Sequence, residues 1–128
     1  MKTLINGRWT DRKDEKQSND GSFKRKDTEF RNWITPDGSP GETGVGGFKA
    51  ESDRYHLYVS LACPWAHRTL IFRKLKNLEP HIGVSIVHPI MLENGWEFRT
   101  DFSQCTGDQI LGKNSIFEVY LAADKNIT

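Results

Sequence analysis

The sequence predicts an α/β protein organised around one β-α-β unit. Three observations carry this: an alternating apolar run over residues 55–61, apolar residues at helical spacing between Pro64 and Pro80, and a second apolar run over residues 82–87.

Residues 1–50 come first and are read as an irregular N-terminal arm. They hold seven of the 11 glycines and two of the 5 prolines. Thr35 to Gly47 is turn material without apolar periodicity. Trp9, Phe23, Phe30, Trp33 and Phe48 punctuate the arm, and a disordered tail seldom carries that many rings. The expectation is an arm draped over a folded body and pinned by them. Gly44-Val45-Gly46-Gly47 lacks the flanking strand, helix and Lys-Ser/Thr of a phosphate loop.

Residues 51–128 read as one partial domain. Tyr55, Leu57, Val59 and Leu61 alternate with His56, Tyr58 and Ser60, the period of a strand. Pro64 suits the first position of a helix. Leu70, Ile71, Leu75 and Leu78 then form its apolar stripe, Arg68, Arg73, Lys74 and Lys76 its wet side, and Pro80 its stop. Ile82, Val84, Ile86 and Val87 make the second strand, closed by Pro89. A helical crossover between two strands implies that they are parallel. After a polar loop, Ile116 to Ala123 gives a terminal helix.

Composition narrows the function classes. The 128 residues are 36% hydrophobic and 27% charged, with 18 basic against 17 acidic side chains. That balance gives no reason to expect nucleic acid or an anionic membrane as partner. No apolar run approaches the roughly 20 residues of a membrane helix, and the N-terminus turns polar before a signal-peptide core develops. The chain reads as a soluble cytoplasmic protein. Its two cysteines, Cys63 and Cys105, form no metal motif and no disulfide framework.

Ser60-Leu61-Ala62-Cys63-Pro64-Trp65-Ala66-His67-Arg68 is the informative segment. With Pro64 opening the helix, Cys63 takes the N-cap, where unpaired backbone N–H groups and the positive end of the helix dipole favour a thiolate. A dithiol redox turn would carry a second cysteine three positions on, but Ala66 stands there. Cys63 therefore needs a thiol from solution to release a mixed disulfide, and glutathione is the abundant one in a cytosol. The plain alternative is a small buried cysteine at a strand-helix turn. Cys105, in Ser103-Gln104-Cys105-Thr106-Gly107, has no activating feature. His67 and Arg68 are read as first-turn helix surface.

The run Tyr55 to Arg68 resembles the active-site strand and turn of glutathionyl-hydroquinone reductases, within the xi/omega-like glutathione transferases. The resemblance continues through Phe30-Arg31-Asn32-Trp33, Gly46-Gly47-Phe48, His88-Pro89 and Glu93-Asn94-Gly95-Trp96. It implies an incomplete thioredoxin-like fold and reduction of glutathionyl-hydroquinones to hydroquinones, with glutathione as co-substrate and no metal. By position it implies that Cys63 is the nucleophile and that Trp96 contacts glutathione. Trp96 also has a plain reading, as a ring packed on the body.

The family pattern goes on to a cis-proline stretch, a Glu-Ser pair and an all-helical domain that supplies the homodimer contacts. None lies in these residues, so the resemblance implies a truncated chain that is inactive alone. Two alternatives share Cys63: an omega-like thiol transferase or dehydroascorbate reductase, and a non-catalytic remnant.

Overall fold

In the computed structural model, residues 2–11, 27 and 29–128 are described. In chain order they form β1 (Lys2–Ile5), β2 (Arg8–Asp11), β3 (Trp33–Thr35), β4 (Gly47–Lys49), β5 (Tyr55–Val59), α1 (Pro64–Leu75), β6 (Ile82–Ile86) and α2 (Ile116–Ala123). The strands pair as β1-β2, β3-β4 and β5-β6.

β5 and β6 run parallel, in register from Tyr55 against Ile82 to Val59 against Ile86. This is the pairing that a helical crossover through α1 requires. Alternation places His56 and Tyr58 with Gly83 and Ser85 on one face, and Leu57 and Val59 with Val84 and Ile86 on the other. Gly83 is there because a Cβ would lie 2.7 Å from His56 Nδ1. The polar face is roofed by the segment after β6: the Tyr58 ring meets Phe98 edge-on at 5.7 Å. Val59, Val87 and Phe98 are buried, together with Ser60 and Ser85.

α1 differs from its expected stripe. The half-buried positions are Ala66, Leu70 and Arg73, spaced four and three apart, while Ile71, Phe72 and Leu75 are exposed. Arg73 lies inward because its guanidinium donates to the Ile82 carbonyl (2.7 Å) and the Glu79 carbonyl (3.1 Å), groups that a leucine would leave unpaired. The helix ends at Leu75, before Pro80; Asn77 turns the chain with a left-handed φ of 53°.

The N-terminal segment is more regular than its glycine content implies. β1 and β2 form an antiparallel hairpin across Asn6-Gly7, with φ of 47° and 73°. That conformation favours this dipeptide in two-residue hairpin loops. β3 and β4 add a parallel pair, tied to the next strand by Tyr55 Oη donating to the Lys49 carbonyl. The expectation of ring anchoring holds for Trp9 alone among the described rings. It stacks on Phe117 of α2 at 4.6 Å between centroids. Phe30, Trp33 and Phe48 are exposed. Phe23 lies outside the described residues.

Candidate functional site

The Cys63 turn is built by Ser60. Its carbonyl accepts the Cys63 N–H at 3.0 Å, and its hydroxyl accepts the Ala62 N–H at 3.3 Å, so a buried side chain folds the exit of β5 back toward α1. Cys63 is extended, with φ −92° and ψ 115°, as the residue before a proline prefers. Its carbonyl already accepts the His67 N–H at 3.0 Å, which makes it the N-cap. No side chain caps this helix and no acidic residue lies in its first turn. The sulfur is half-buried and free. His67 and Arg68 are exposed, and the Arg68 guanidinium sits 4.7 Å over the Trp65 ring.

Cys105 has a different setting. It is a free thiol in a narrow cleft with Leu61, Pro89 and Phe102, and burial pushes its pKa up, with the Asp101 charge adding to the effect. Among the described residues no His, Cys, Asp and Glu side chains cluster as a metal site. No helix there is long and apolar enough to cross a membrane.

A polar hub lies on the His56 and Tyr58 face of β5. Asp108 accepts the backbone N–H groups of Ile110 (3.0 Å), Leu111 (3.1 Å) and Lys113 (2.9 Å), and the Tyr58 hydroxyl at 3.1 Å. Burial alone would raise its pKa, but those backbone bonds and the Tyr58 hydroxyl hold it below the usual carboxylate range. Burial pushes Tyr58 up to about 12, with the Asp108 bond and charge acting the same way. His56 Nε2 lies 2.8 Å from Ser85 Oγ, which accepts the Gln109 N–H at 3.1 Å. Burial lowers the His56 pKa, Asp108 opposes that and Arg73 reinforces it. Sequence alternation marked His56 and Tyr58 as strand positions. It could not show Asp108 as their partner, 50 residues past Tyr58.

Trp96 lies at the edge beside α2. Its carbonyl accepts the Ile116 N–H at 2.9 Å, which fixes it to the start of α2. There Ser115 and Glu118 form a capping box, the Glu118 carboxylate accepting the Ser115 N–H at 2.9 Å. The hairpin closes over this edge through the Trp9–Phe117 stack, a Lys2–Glu93 ion pair of 3.2 Å, and Gly7 N–H donating to the Ile127 carbonyl at 2.9 Å. A Cβ on Gly7 would collide with the Lys125 carbonyl, a second reason for glycine beyond its φ. Hairpin, Trp96 and α2 line an open groove of about 330 Å³. Cys63 does not line it. Of the two predicted site residues, Cys63 stands at the head of α1 and Trp96 beside the start of α2. Trp9 Nε1 and Thr10 Oγ1 are buried without a hydrogen-bond partner. Sequence reading found Trp9 only as an anchor.

No family model matches the chain. Three relatives do. It is 58% identical over 124 residues to glutathionyl-hydroquinone reductase YqjG of Escherichia coli K12, covering 97% of this chain and 38% of that protein. The glutathione-bound structure of YqjG, a glutathione transferase homolog, superposes with a TM-score of 0.78 over 98% of this chain and 35% of that one, at 53% identity. Glutathionyl-hydroquinone reductase PcpF of Sphingobium chlorophenolicum is 41% identical over all 128 residues, which is 37% of its own length. A Xi class glutathione transferase from Natrialba magadii superposes with a TM-score of 0.81 at 42% identity, covering 99% of this chain and 37% of that one. The chain therefore spans little more than a third of the length of these relatives.

Proposed function

The chain belongs to the glutathionyl-hydroquinone reductase family, the Xi-class glutathione transferases, whose thioredoxin-like N-terminal portion it matches, and we propose that its function is glutathione-dependent reduction of glutathionyl-hydroquinones through Cys63. One observation carries the reading: a free, half-buried cysteine occupies the N-cap position of a helix whose first turn no side chain caps. Unclaimed first-turn N–H groups supply fixed donors around a sulfur anion. With Ala66 in place of a resolving cysteine, the cycle is monothiol.

In the first step the Cys63 thiolate attacks the sulfur of the glutathionyl group. An S–S bond forms, the aryl carbon–sulfur bond breaks, and the aromatic ring leaves with the electron pair and takes up a proton as hydroquinone. In the second step a glutathione thiolate attacks the mixed disulfide, Cys63 leaves as thiolate, and oxidised glutathione is released. Two glutathione sulfurs are oxidised and one substrate is reduced. Trp96 is assigned to glutathione contact by its match to the family motif. The reaction belongs to the cytoplasm and to a longer protein carrying the helical domain, which also supplies the homodimer contacts. The segments 1–50 and 51–128 are assigned as arm and catalytic body.

The test is chemical. A protein extended through the helical domain is incubated with glutathionyl-menadione and the adduct is mapped by peptide mass spectrometry. A glutathione adduct on Cys63 with menadiol released is expected. Labelling confined to Cys105, or no adduct, removes the assignment. Turnover of dehydroascorbate but not of glutathionyl-menadione by a protein extended through the helical domain selects the thiol-transferase alternative.

A further inference from the structure

The bend that carries the chain from β5 into α1 has little in its central residues to hold it. Leu61 and Ala62 occupy the middle of the bend, both are exposed, and neither belongs to the turn-forming types. Pro64 restrains Cys63 to extended backbone but sets nothing for the two residues before it. What fixes them is Ser60.

Ser60 follows β5 directly and is only 6% exposed. Its carbonyl accepts the Cys63 N–H at 3.0 Å and its hydroxyl accepts the Ala62 N–H at 3.3 Å. One buried residue thus engages two successive N–H groups of an exposed bend. Serine suits the first position of a turn for this reason, since its side chain can bond the backbone two residues on. An apolar side chain would bury there without the cost of desolvating a hydroxyl.

The bend decides which donors residue 63 meets. Pro64 has no N–H, and the His67 N–H is spent on the Cys63 carbonyl at 3.0 Å. Trp65 and Ala66 supply the remaining first-turn N–H groups, and no side chain among the described residues claims them. A displacement of even about 1 Å in a reacting geometry can cost on the order of a hundredfold.

We infer that Ser60 is a positioning residue for Cys63: its hydroxyl, through the Ala62 N–H, sets the bend so that the sulfur is presented to the Trp65 and Ala66 donors. The inference rests on the reading of Cys63 as the nucleophile. Ser60 acts through the backbone and enters no bond change itself.

The test is the rate of alkylation by iodoacetamide, followed at Cys63 and Cys105 separately by peptide mass spectrometry in a protein extended through the helical domain. Ser60→Ala should slow Cys63 about fivefold, the equivalent of one hydrogen bond. Ser60→Thr keeps the hydroxyl and should stay within about twofold of wild type, with Cys105 changed by no more than that in either variant. A purely structural role gives a different pattern, because a loosened body exposes the half-buried Cys105 and speeds its alkylation. That pattern overturns the inference, as does a Ser60→Thr rate no better than that of Ser60→Ala. Equal wild-type rates at the two cysteines remove the nucleophile reading and this inference with it. A fast wild-type Cys63 that stays fast in Ser60→Ala removes this inference alone. If Ser60→Ala fails to fold, amide hydrogen exchange in the wild-type protein decides. Protection of the Ala62 and Cys63 N–H groups is then expected, and unprotected exchange at both overturns the inference.

Discussion

The molecule has two helix starts, and they are finished in opposite ways. At α2, Ser115 precedes the helix in extended conformation and the chain's own Glu118 returns to it, so the terminus is closed by side chains. At α1, Cys63 takes the same place, also extended, yet no side chain satisfies the first turn and no acidic residue accompanies it. The surroundings follow suit. α2 is held by the hairpin through Trp9 and Phe117, whereas α1 leaves Trp65, Phe72 and Leu75 exposed. A closed cap serves stability. On the proposed function, the open one reserves its donors for chemistry at Cys63.

The comparison breaks most visibly at sulfur. In a protein extended through the helical domain, Cys63→Ser should reduce glutathionyl-menadione turnover by on the order of a thousandfold or more, since a hydroxyl cannot exchange with a disulfide. Cys105→Ser should stay within about twofold, because burial and the Asp101 charge hold that thiol protonated. Comparable losses in both variants would mean that the open cap is not what selects the reactive cysteine.

Removing the brace on the closed side is the next largest effect. Trp9→Ala deletes the stack on Phe117 and should lower unfolding free energy by about 2–3 kcal/mol, somewhat less than for a fully buried tryptophan. Urea denaturation measures it, and a change under about 0.5 kcal/mol would show that the hairpin is not bound to α2 as described.

Swapping caps sharpens the contrast further. Ser115→Ala should cost about 1 kcal/mol, while Cys63→Ser should gain a few tenths up to about 1 kcal/mol by supplying the missing oxygen. Opposite signs in thermal melts are the expected result. A loss of stability in Cys63→Ser would show that the α1 cap was already satisfied.

The smallest effect is in the hub around Asp108. Folding raises the Tyr58 pKa from 10.0 to about 12. Between those values the unfolded chain has released a proton that the folded chain keeps, so stability is full below pH 10 and falls as pH rises toward 12. Tyr58→Phe should flatten that alkaline decline in a pH series of melts. An unchanged slope would place the titration elsewhere.

Much of this was legible from local pattern. Alternation located β5, Pro64 located the start of α1, and the apolar spacing of residues 116–123 located α2. The Cys63 cap follows from the Cys-Pro dipeptide after a strand. What escaped depended on distant partners. Arg73 read as solvent surface until the Ile82 carbonyl was found beside it. Asp108 is one loop carboxylate among many until Tyr58 and three backbone N–H groups converge on it. The hairpin was legible in principle, since Asn6-Gly7 separates two β-forming runs, but four-residue strands in a glycine-rich segment weaken that signal. The groove had no sequence signal, because its walls come from both ends of the chain.

The junction of hairpin and α2 also sets an order in time. Asn6 N–H donates to Thr128 Oγ1 at 3.0 Å across a sequence separation of 122, beside the bond from Gly7 to Ile127. Loop-closure entropy and contact order make so distant a contact late, while the β5-α1-β6 crossover closes a far shorter loop. During synthesis the hairpin must wait for Glu93 and Phe117 before it has a surface to dock on, and for residues 127 and 128 before the last bonds close. Trp9 spends that interval in water, an exposed ring on an unpaired ribbon, available to chaperones or to the hairpin of a neighbouring nascent chain.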